Sequence, residues 1–227
     1  MEAIILAGGL GTRLRDIVKD IPKPMAPING TPFLHYIFEW LSNYPVNNVL
    51  LSVGYKSEII SNYFNTNYKG ISIKYANENV PLGTGGAIKY ALSKTVEDNV
   101  LIINGDTYFP IDINRFAQFH QTNKSGISIA LKHMTDFDRY GSVQILNNKI
   151  ITFNEKQHLK EGLINGGIYM INKKAIDFNY LPDNFSFETE ILEKYVDKGS
   201  INGMIFNETF IDIGVPEDYK KACNILL

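Results

Sequence analysis

The sequence predicts an α/β fold, with a three-layer, mixed but mainly parallel sheet that carries helices on both faces and a smaller β-rich lobe. Two observations support this prediction. Up to about residue 135, short apolar runs that fit buried strands alternate with segments in which apolar residues recur at helical spacing, a pattern typical of parallel sheets. After about residue 140, strand-like runs follow one another with turn residues between them.

The first half supplies strands and helices in turn. The first strand stops at glycine. Thr31 with Pro32 predicts a helix start, because Thr is a favoured N-cap and Pro a favoured first residue. Ser57 predicts the cap of a second helix. The predicted strands are 3–7, 48–53, 71–75, 99–104 and 126–131, and the predicted helices are 31–43, 57–64, 85–93 and 113–120.

The second half is richer in strands. Asn147 and Asn148 separate two apolar runs and predict a hairpin turn, while Ser186 and Pro216 predict helix starts. The predicted strands are 141–146, 149–154, 166–171, 203–206 and 209–213, and the helices are 186–198 and a last one from 216. Because no linker, repeat or low-complexity tract interrupts the 227 residues, we expect a single domain over 1–227.

Composition excludes several classes of partner. The formal net charge of −2 argues against a broad surface for a nucleic acid polymer or a membrane, which would need a basic excess. Cys223 is the one cysteine, so no internal disulfide and no Cys/His zinc cluster is expected. The N-terminus lacks a signal-peptide pattern, and no apolar run is long enough to span a bilayer. We expect a cytoplasmic protein.

A glycine-rich loop follows the first predicted strand. Gly8, Gly9 and Gly11 allow the backbone to approach a phosphate and to point N–H groups at it. A dinucleotide-binding fingerprint would need glycine where Leu14 stands, and the Gly-Lys-Ser/Thr of a P-loop is absent. A structural turn is the alternative interpretation.

Positive charges accompany this loop. Thr12, Arg13 and Arg15 add a hydroxyl and two guanidinium groups, which suit bidentate phosphate contacts. Lys23 lies between two prolines that stiffen it, and a cation held in place loses less freedom when it binds phosphate. Together with the glycines, these residues predict a phosphate site at the end of the first strand.

Two aspartates are candidate metal ligands. Asp106 ends an apolar strand, and Asp212 lies between two apolar residues on a short strand, so its side chain should point away from theirs. Each residue is also a plausible cap or turn aspartate. As a pair they suit Mg²⁺, which prefers a few carboxylates completed by phosphates and waters.

The run from Leu6 to Arg15, followed by Pro-Lys-Pro-Met at 22–25, resembles the signature of the sugar-phosphate nucleotidyltransferases. The resemblance implies the Rossmann-like nucleotide-diphospho-sugar transferase fold. It also implies a nucleoside triphosphate and a sugar 1-phosphate as substrates, and Mg²⁺ as cofactor held by Asp106 and Asp212. Lys23, Arg13 and Asp106 are then the expected catalytic residues.

The same resemblance implies two groups of binding residues, the first mainly in 1–135 and the second mainly in 136–227. The sugar-phosphate group includes Glu155 and Lys156 of an F-x-E-K-P motif, although Gln157 replaces its proline here. The expected nucleotide-binding residues are Leu6, Ala7, Gly8, Gly9, Gly11, Thr12, Arg13, Lys23, Asn77, Glu78, Gly83, Thr84 and Gly105. The expected sugar-phosphate-binding residues are Tyr140, Gly141, Glu155, Lys156, Asn165 and Gly166.

Over its whole length the chain is similar to short bacterial guanylyltransferases that act on D-glycero-D-manno-heptose 1-phosphate and make GDP-heptose for surface polysaccharides. A uridylyltransferase for an amino-sugar 1-phosphate such as N-acetylmuramate 1-phosphate is an alternative. So is a non-catalytic nucleotide-sugar sensor on the same fold. A metal-dependent glycosyltransferase would need an Asp-x-Asp after a strand, and the match at Asp136 and Asp138 follows no clear strand end. A homodimer is a candidate assembly.

Overall fold

A computed structural model describes residues 1–9, 14, 18 and 20–226. Within this part of the chain the strands are β1 (Glu2–Leu6), β2 (Pro27–Ile28), β3 (Thr31–Pro32), β4 (Asn48–Val53), β5 (Asn67–Tyr68), β6 (Ile71–Asn77), β7 (Asn99–Asn104), β8 (Thr107–Tyr108), β9 (Ile127–Phe137), β10 (Gly141–Leu146), β11 (Lys149–Lys156), β12 (Leu159–Asn172), β13 (Ile201–Phe206) and β14 (Ile211–Asp212).

The helices lie between these strands. They are α1 (Phe33–Leu41), α2 (Ser57–Phe64), α3 (Gly83–Leu92), α4 (Ile113–Thr122), a π-helix (Glu188–Glu193) that continues as α5 (Lys194–Val196), and α6 (Pro216–Ile225). Short 3-10 turns occupy Lys23–Met25 and Lys173–Ala175. None of the helices in the described ranges has the length and apolar character needed to cross a membrane.

One mixed sheet organises the fold. Among the described residues its ten strands run in the order β10-β11-β13-β9-β12-β7-β1-β4-β6-β5. β1 pairs in parallel with β4 and β7, and β4 pairs in parallel with β6. β12 is antiparallel to both β7 and β9. The parallel part therefore comes from the first half of the chain, and most antiparallel pairing involves the second half.

Two apolar layers cover the sheet, because successive side chains of a strand point to opposite faces. Ile5 in β1 belongs to a buried cluster with Phe38 of α1 and Phe116 of α4. Its neighbour Ile4 belongs to a second cluster with Ile88 of α3, on the other face. The predicted three-layer α/β architecture is confirmed.

The β-rich second half extends the central sheet and curls at its end. β10 pairs with both β11 and β12, so these strands close on themselves. β12 begins at Leu159, before the predicted 166–171, because the exposed Lys160 and Glu161 interrupt the apolar pattern on which that prediction depends. A register shift between Asn165 and Tyr169, with Gly167 at a φ of +71°, bends the strand beside the cleft described below.

Two predicted helix caps are wrong. Thr31 lies in β3 opposite Ile28, and α1 starts two residues later. The reason is a tight turn at Asn29 and Gly30, both with positive φ, which folds the chain into a hairpin before the helix. Likewise Ser57 is the first residue of α2, and the preceding Lys56 has a left-handed conformation without a side-chain cap.

Candidate active site

The carboxyl ends of β1 and β7 meet at one edge of the sheet. Leu6 lies opposite Asn104, and the Gly105 N–H donates to the Leu6 carbonyl over 2.9 Å. A Cβ on Gly105 would come within 2.6 Å of that carbonyl oxygen, so only glycine allows this approach. The glycines after β1 and the carboxylate of Asp106 are thereby held side by side.

Lys23 and two aspartates form the centre of the site. Lys23 Nζ lies 2.5 Å from Asp106 Oδ2 and 3.9 Å from Asp212 Oδ1. Its side chain is 13% exposed, and the flanking Pro22 and Pro24 fix the turn that carries it. Asp212 reaches this place because β14 pairs with β8, which sets Asp212 opposite Thr107. The structure thus joins Lys23 to Asp106, 83 positions along the chain, and brings Asp212 beside both.

The negative charge of Asp106 acts on the carboxyl group of Asp212. Burial raises the pKa of Asp212, and the charge of Asp106 raises it further, whereas Lys23 and the Gly214 N–H lower it. That N–H donates to Asp212 Oδ1 over 2.7 Å. No group of three or more metal-ligating side chains is found in the described part of the chain. Two carboxylates nevertheless suit Mg²⁺, which completes its coordination with phosphates and waters.

Two cavities meet at this centre. The glycine-loop cavity, lined in part by Gly8, Gly9 and Glu78, has a volume of about 750 Å³. The β12 cavity, lined in part by Asn165 and Tyr169, has a volume of about 690 Å³. Both are lined by Gly9, Lys23, Asn104 and Asp106. They are two halves of one cleft, each large enough for a small-molecule ligand.

The glycine-loop cavity contains most of the described residues expected to bind nucleotide. Those that line it are Leu6, Ala7, Gly8, Gly9, Lys23, Glu78, Gly83 and Thr84. Asn77 and Gly105 do not line either cavity: Asn77 pairs with Val53 in the sheet, and Gly105 fixes the strand ends. Gly11, Thr12 and Arg13 lie outside the described residues.

Glu78 is an acidic residue of this cavity, away from the shared centre that contains Asp106. Its Oε1 accepts a hydrogen bond from Ser52 Oγ over 2.9 Å, and burial raises the pKa of its carboxyl while that hydrogen bond lowers it. A Cβ on Gly8 would come within 2.6 Å of Glu78 Oε1. The carboxylate therefore lies directly beside the glycine loop.

The β12 cavity receives four of the six expected sugar-phosphate residues. Tyr140, Gly141, Lys156 and Asn165 line it, whereas Glu155 and Gly166 do not. Glu155 is exposed on β11. Gly166 faces the core, where an added Cβ would lie 2.7 Å from the Phe109 ring, and the neighbouring Gly167 lines the cavity instead.

Sequence reasoning missed an arginine that supports Asp212. Arg139 forms an ion pair with Asp218 of α6 at 2.6 Å and lies 4.0 Å from Asp212. Tyr140 donates its hydroxyl to Asp212 Oδ2 over 3.2 Å, and burial raises the pKa of Tyr140, which keeps that proton in place. Arg139 directly precedes the Tyr-Gly pair in the sequence, and that adjacency was the available signal.

Glu188 is a second residue that sequence reasoning missed. It lines the β12 cavity and follows Ser186, which was predicted only as a helix cap. Nothing in the local sequence pattern separates this glutamate from its neighbours Glu190 and Glu193. Only the three-dimensional packing of the segment against α3 brings it to the cleft.

Comparison with known proteins gives concordant matches. Residues 2–227 match the family model described as Nucleotidyl transferase. The D-glycero-alpha-D-manno-heptose 1-phosphate guanylyltransferase of Aneurinibacillus thermoaerophilus is 51% identical, over 98% of this chain and 96% of its own length. A protein of the same name from Campylobacter jejuni is also 51% identical, over 96% of this chain and 97% of its own length.

Solved structures agree with these matches. The crystal structure of HddC from Yersinia pseudotuberculosis complexed with GMP-PN has a TM-score of 0.88 and 39% identity, with 98% of both chains covered. A putative glucose-1-phosphate thymidylyltransferase from Bacillus anthracis also reaches a TM-score of 0.88, at 23% identity over 99% of this chain and 95% of its own. That second likeness bears on the fold alone.

Proposed function

The chain belongs to the nucleotidyl transferase family, and from this premise we propose that it transfers a guanylyl group from GTP to D-glycero-α-D-manno-heptose 1-phosphate. The products are GDP-heptose and pyrophosphate. The observation that carries the reaction type is the position of Lys23 and Asp106 at the junction of two cavities. The relatives that are 51% identical over nearly the whole chain support these substrates.

The glycine-loop cavity is the proposed nucleotide site. The described residues that line it all belong to the first half of the chain, and its glycines can expose N–H groups to phosphates. Glu78 supports guanine as the base, because an ionised carboxylate is a pure acceptor. Guanine offers adjacent N–H donors on one edge, which such an acceptor can bind.

The β12 cavity is the proposed sugar 1-phosphate site. Lys156 supplies a cation for the phosphate, and Asn165 supplies a polar group for the sugar. Asn165 is held in place, since its Nδ2 donates to the Tyr169 hydroxyl over 2.9 Å and its Oδ1 accepts from the Gly167 N–H. Residues 136–227 contribute most of this lining, in keeping with a single domain divided into a nucleotide half and a sugar half.

The reaction needs alignment more than proton transfer. A phosphate oxygen of the sugar 1-phosphate, already an anion, forms a bond to the α-phosphorus of GTP. The bond from that phosphorus to the β-phosphate oxygen breaks, and pyrophosphate leaves with the electron pair. Lys156 orients the attacking phosphate and Lys23 stabilises charge at the α-phosphate. Arg13, outside the described residues, is proposed to hold the pyrophosphate.

Asp106 and Asp212 would hold Mg²⁺. When bound, the ion neutralises charge on phosphate oxygens. The charge of Asp106 raises the pKa of Asp212 although Lys23 lowers it. This supports the assignment, because Lys23 offsets the repulsion between the two carboxylates only in part and a divalent cation would offset it further. Gly214, Tyr140 and Arg139 fix the orientation of Asp212.

We also propose a cellular location and an oligomeric state for the enzyme. We expect it to work in the cytoplasm, where nucleoside triphosphates are made. Exposed apolar side chains on neighbouring strands of the β-rich half, Leu146, Ile151 and Ile205, favour a homodimer. Light scattering coupled to size exclusion measures that assembly.

Pyrophosphate release across a panel of nucleoside triphosphates and sugar 1-phosphates tests the proposed function. We expect the highest kcat/KM for GTP with heptose 1-phosphate. Higher efficiency for UTP with N-acetylmuramate 1-phosphate would replace this substrate pair with the uridylyltransferase alternative. Tight nucleotide-sugar binding without any release would favour a sensor, and sugar transfer from a ready-made nucleotide sugar would favour a glycosyltransferase.

A further inference from the structure

Hydrogen bonds join Leu82 and the first turn of α3, beside the glycine-loop cavity, to the segment 183–188. The Gly85 N–H donates to the Phe185 carbonyl over 2.9 Å, and the Phe185 N–H donates to the Leu82 carbonyl over 3.1 Å. A Cβ on Gly85 would come within 2.1 Å of the Phe185 ring, and one on Gly86 within 2.0 Å of the Asp183 carbonyl oxygen. The two segments therefore pack as one unit.

Thr84 and Glu188 continue this connection into the cleft. Thr84 lines the glycine-loop cavity and Glu188 lines the β12 cavity. The Thr84 hydroxyl donates to Glu188 Oε2 over 2.7 Å, the Ser186 hydroxyl donates to the same oxygen over 2.9 Å, and the Phe187 N–H donates to Thr84 Oγ1. The hydrogen bond between Thr84 and Glu188 thus connects a residue of one half of the cleft to a residue of the other.

One carboxylate oxygen of Glu188 remains available. Within the described part of the chain, both hydrogen bonds to Glu188 go to Oε2, and Oε1 has no partner. Three carboxylates line the β12 cavity: Asp106 and Asp212, which surround Lys23, and Glu188. Glu155, the glutamate that the sequence motif offers for sugar hydroxyls, does not line it.

Sugar hydroxyls are donors, and an ionised carboxylate only accepts, so the two form strong charge-assisted hydrogen bonds. We propose that Glu188 binds a hydroxyl of the acceptor sugar and selects sugars that carry it. Thr84 is a positioning residue that orients this carboxylate from the nucleotide side. The proposal rests on the proposed function and adds a sugar-specificity residue to it.

Glu188→Gln keeps the side-chain shape and removes the charge, and Glu190→Gln on the same helix is the matched control, since Glu190 pairs with Lys194 on the surface. Initial rates of pyrophosphate release should show a KM for heptose 1-phosphate raised about tenfold or more in Glu188→Gln, the loss expected for a charge-assisted hydrogen bond. The KM for GTP should stay within about twofold. Glu190→Gln should match the wild type.

Deoxy analogues of the sugar phosphate, each lacking one hydroxyl, separate recognition from general damage. The wild type should disfavour one analogue about tenfold or more, and Glu188→Gln should treat that analogue and the full sugar alike. Thr84→Val, which keeps the carboxylate but removes its donor, should raise the KM for the sugar phosphate in the same direction by a smaller factor.

Different results would contradict the role of Glu188 and the proposed function. An unchanged KM for the sugar phosphate in both variants, or an equal loss toward GTP and sugar phosphate, would overturn the role of Glu188 and leave the proposed function intact. Discrimination among deoxy analogues that survives in Glu188→Gln would overturn it too. A wild type that fails to use heptose 1-phosphate would contradict the proposed function itself.

Discussion

Lys23 compensates two carboxylates at once in the free protein. It contacts Asp106 directly and lies near Asp212, and both aspartates come from strand ends that the fold holds rigidly. The same lysine faces both cavities. A flexible surface lysine could not do this, because holding a long side chain in one geometry costs rotamer freedom.

We expect Lys23→Ala to lower the melting temperature by a few degrees in metal-free buffer, because Asp106 and Asp212 then repel each other without a shared cation. Mg²⁺ or Mn²⁺ should raise the melting temperature of this variant more than that of the wild type. Turnover should fall about 100-fold or more, the usual loss for a group that stabilises developing charge. Differential scanning fluorimetry and pyrophosphate release measure the two effects.

Lys174→Ala is the control, since Lys174 pairs with Asp98 on the surface, away from the cleft. It should leave melting temperature, metal response and turnover unchanged. A Lys23→Ala protein that gains no more stability from divalent cations than the wild type would contradict the assignment of the two aspartates as metal ligands.

At the level of elements, a buried histidine anchors α4 to the sheet. His120 is 2% exposed, with Nδ1 2.8 Å from Ser128 Oγ in β9 and Nε2 3.2 Å from Asn99 Oδ1 in β7. Burial lowers its pKa to about 4, against 6.5 for the unperturbed group. The neutral imidazole therefore belongs to the folded state.

His120 makes the folded protein less stable in acid. Because the folded pKa is below the unfolded one, this contribution to stability is present above pH 6.5 and is lost as the pH falls toward 4. Between pH 7 and pH 5 the loss should be about 2 kcal/mol. His120→Gln should remove this loss from the free energy of unfolding measured with urea at both pH values.

Gln121→Ala is the control, since Gln121 is exposed on the same helix and has no titratable group, so it should leave the pH dependence as in the wild type. Equal pH slopes for the wild type and His120→Gln would show that the histidine does not titrate on unfolding in this range.

How far the sequence predicts an element depends on its length and its pattern. β4, β7 and β10 have the predicted bounds. β4 and β7 each hold an apolar run that follows an asparagine, and the Asn147–Asn148 turn marks the end of β10. β2, β3, β5, β8 and β14 hold two residues each, too few for any periodicity. Their pairing depends on tertiary contacts: Asp212 could be predicted from its apolar neighbours, but its pairing with β8 could not.

The residues of the candidate site also differ in how far the sequence predicts them. Residues that a local pattern marks, such as Lys23 between prolines and Asp106 at a strand end, lie in the cleft. Glu188 meets Thr84 across 104 positions of sequence, and Arg139 meets Asp218 through α6. Such contacts depend on how the elements pack, and the local pattern around each residue does not contain them.

At the scale of the whole molecule, the fold places two binding cavities against one reactive centre. Holding two substrates in such contact turns a bimolecular reaction into an effectively unimolecular one, which is where most of the rate enhancement of an aligned phosphoryl transfer arises. The parallel strands of the first half build one cavity, and the strands of the second half complete the other. The guanylyl group therefore passes from the ligand of one half to the ligand of the other.

Phosphorus NMR of the purified protein with GTP, heptose 1-phosphate and Mg²⁺ measures this transfer. We expect one GDP-heptose and one pyrophosphate for each GTP consumed, with no consumption when either substrate is omitted. GTP consumption without GDP-heptose, or no reaction under these conditions, would contradict it.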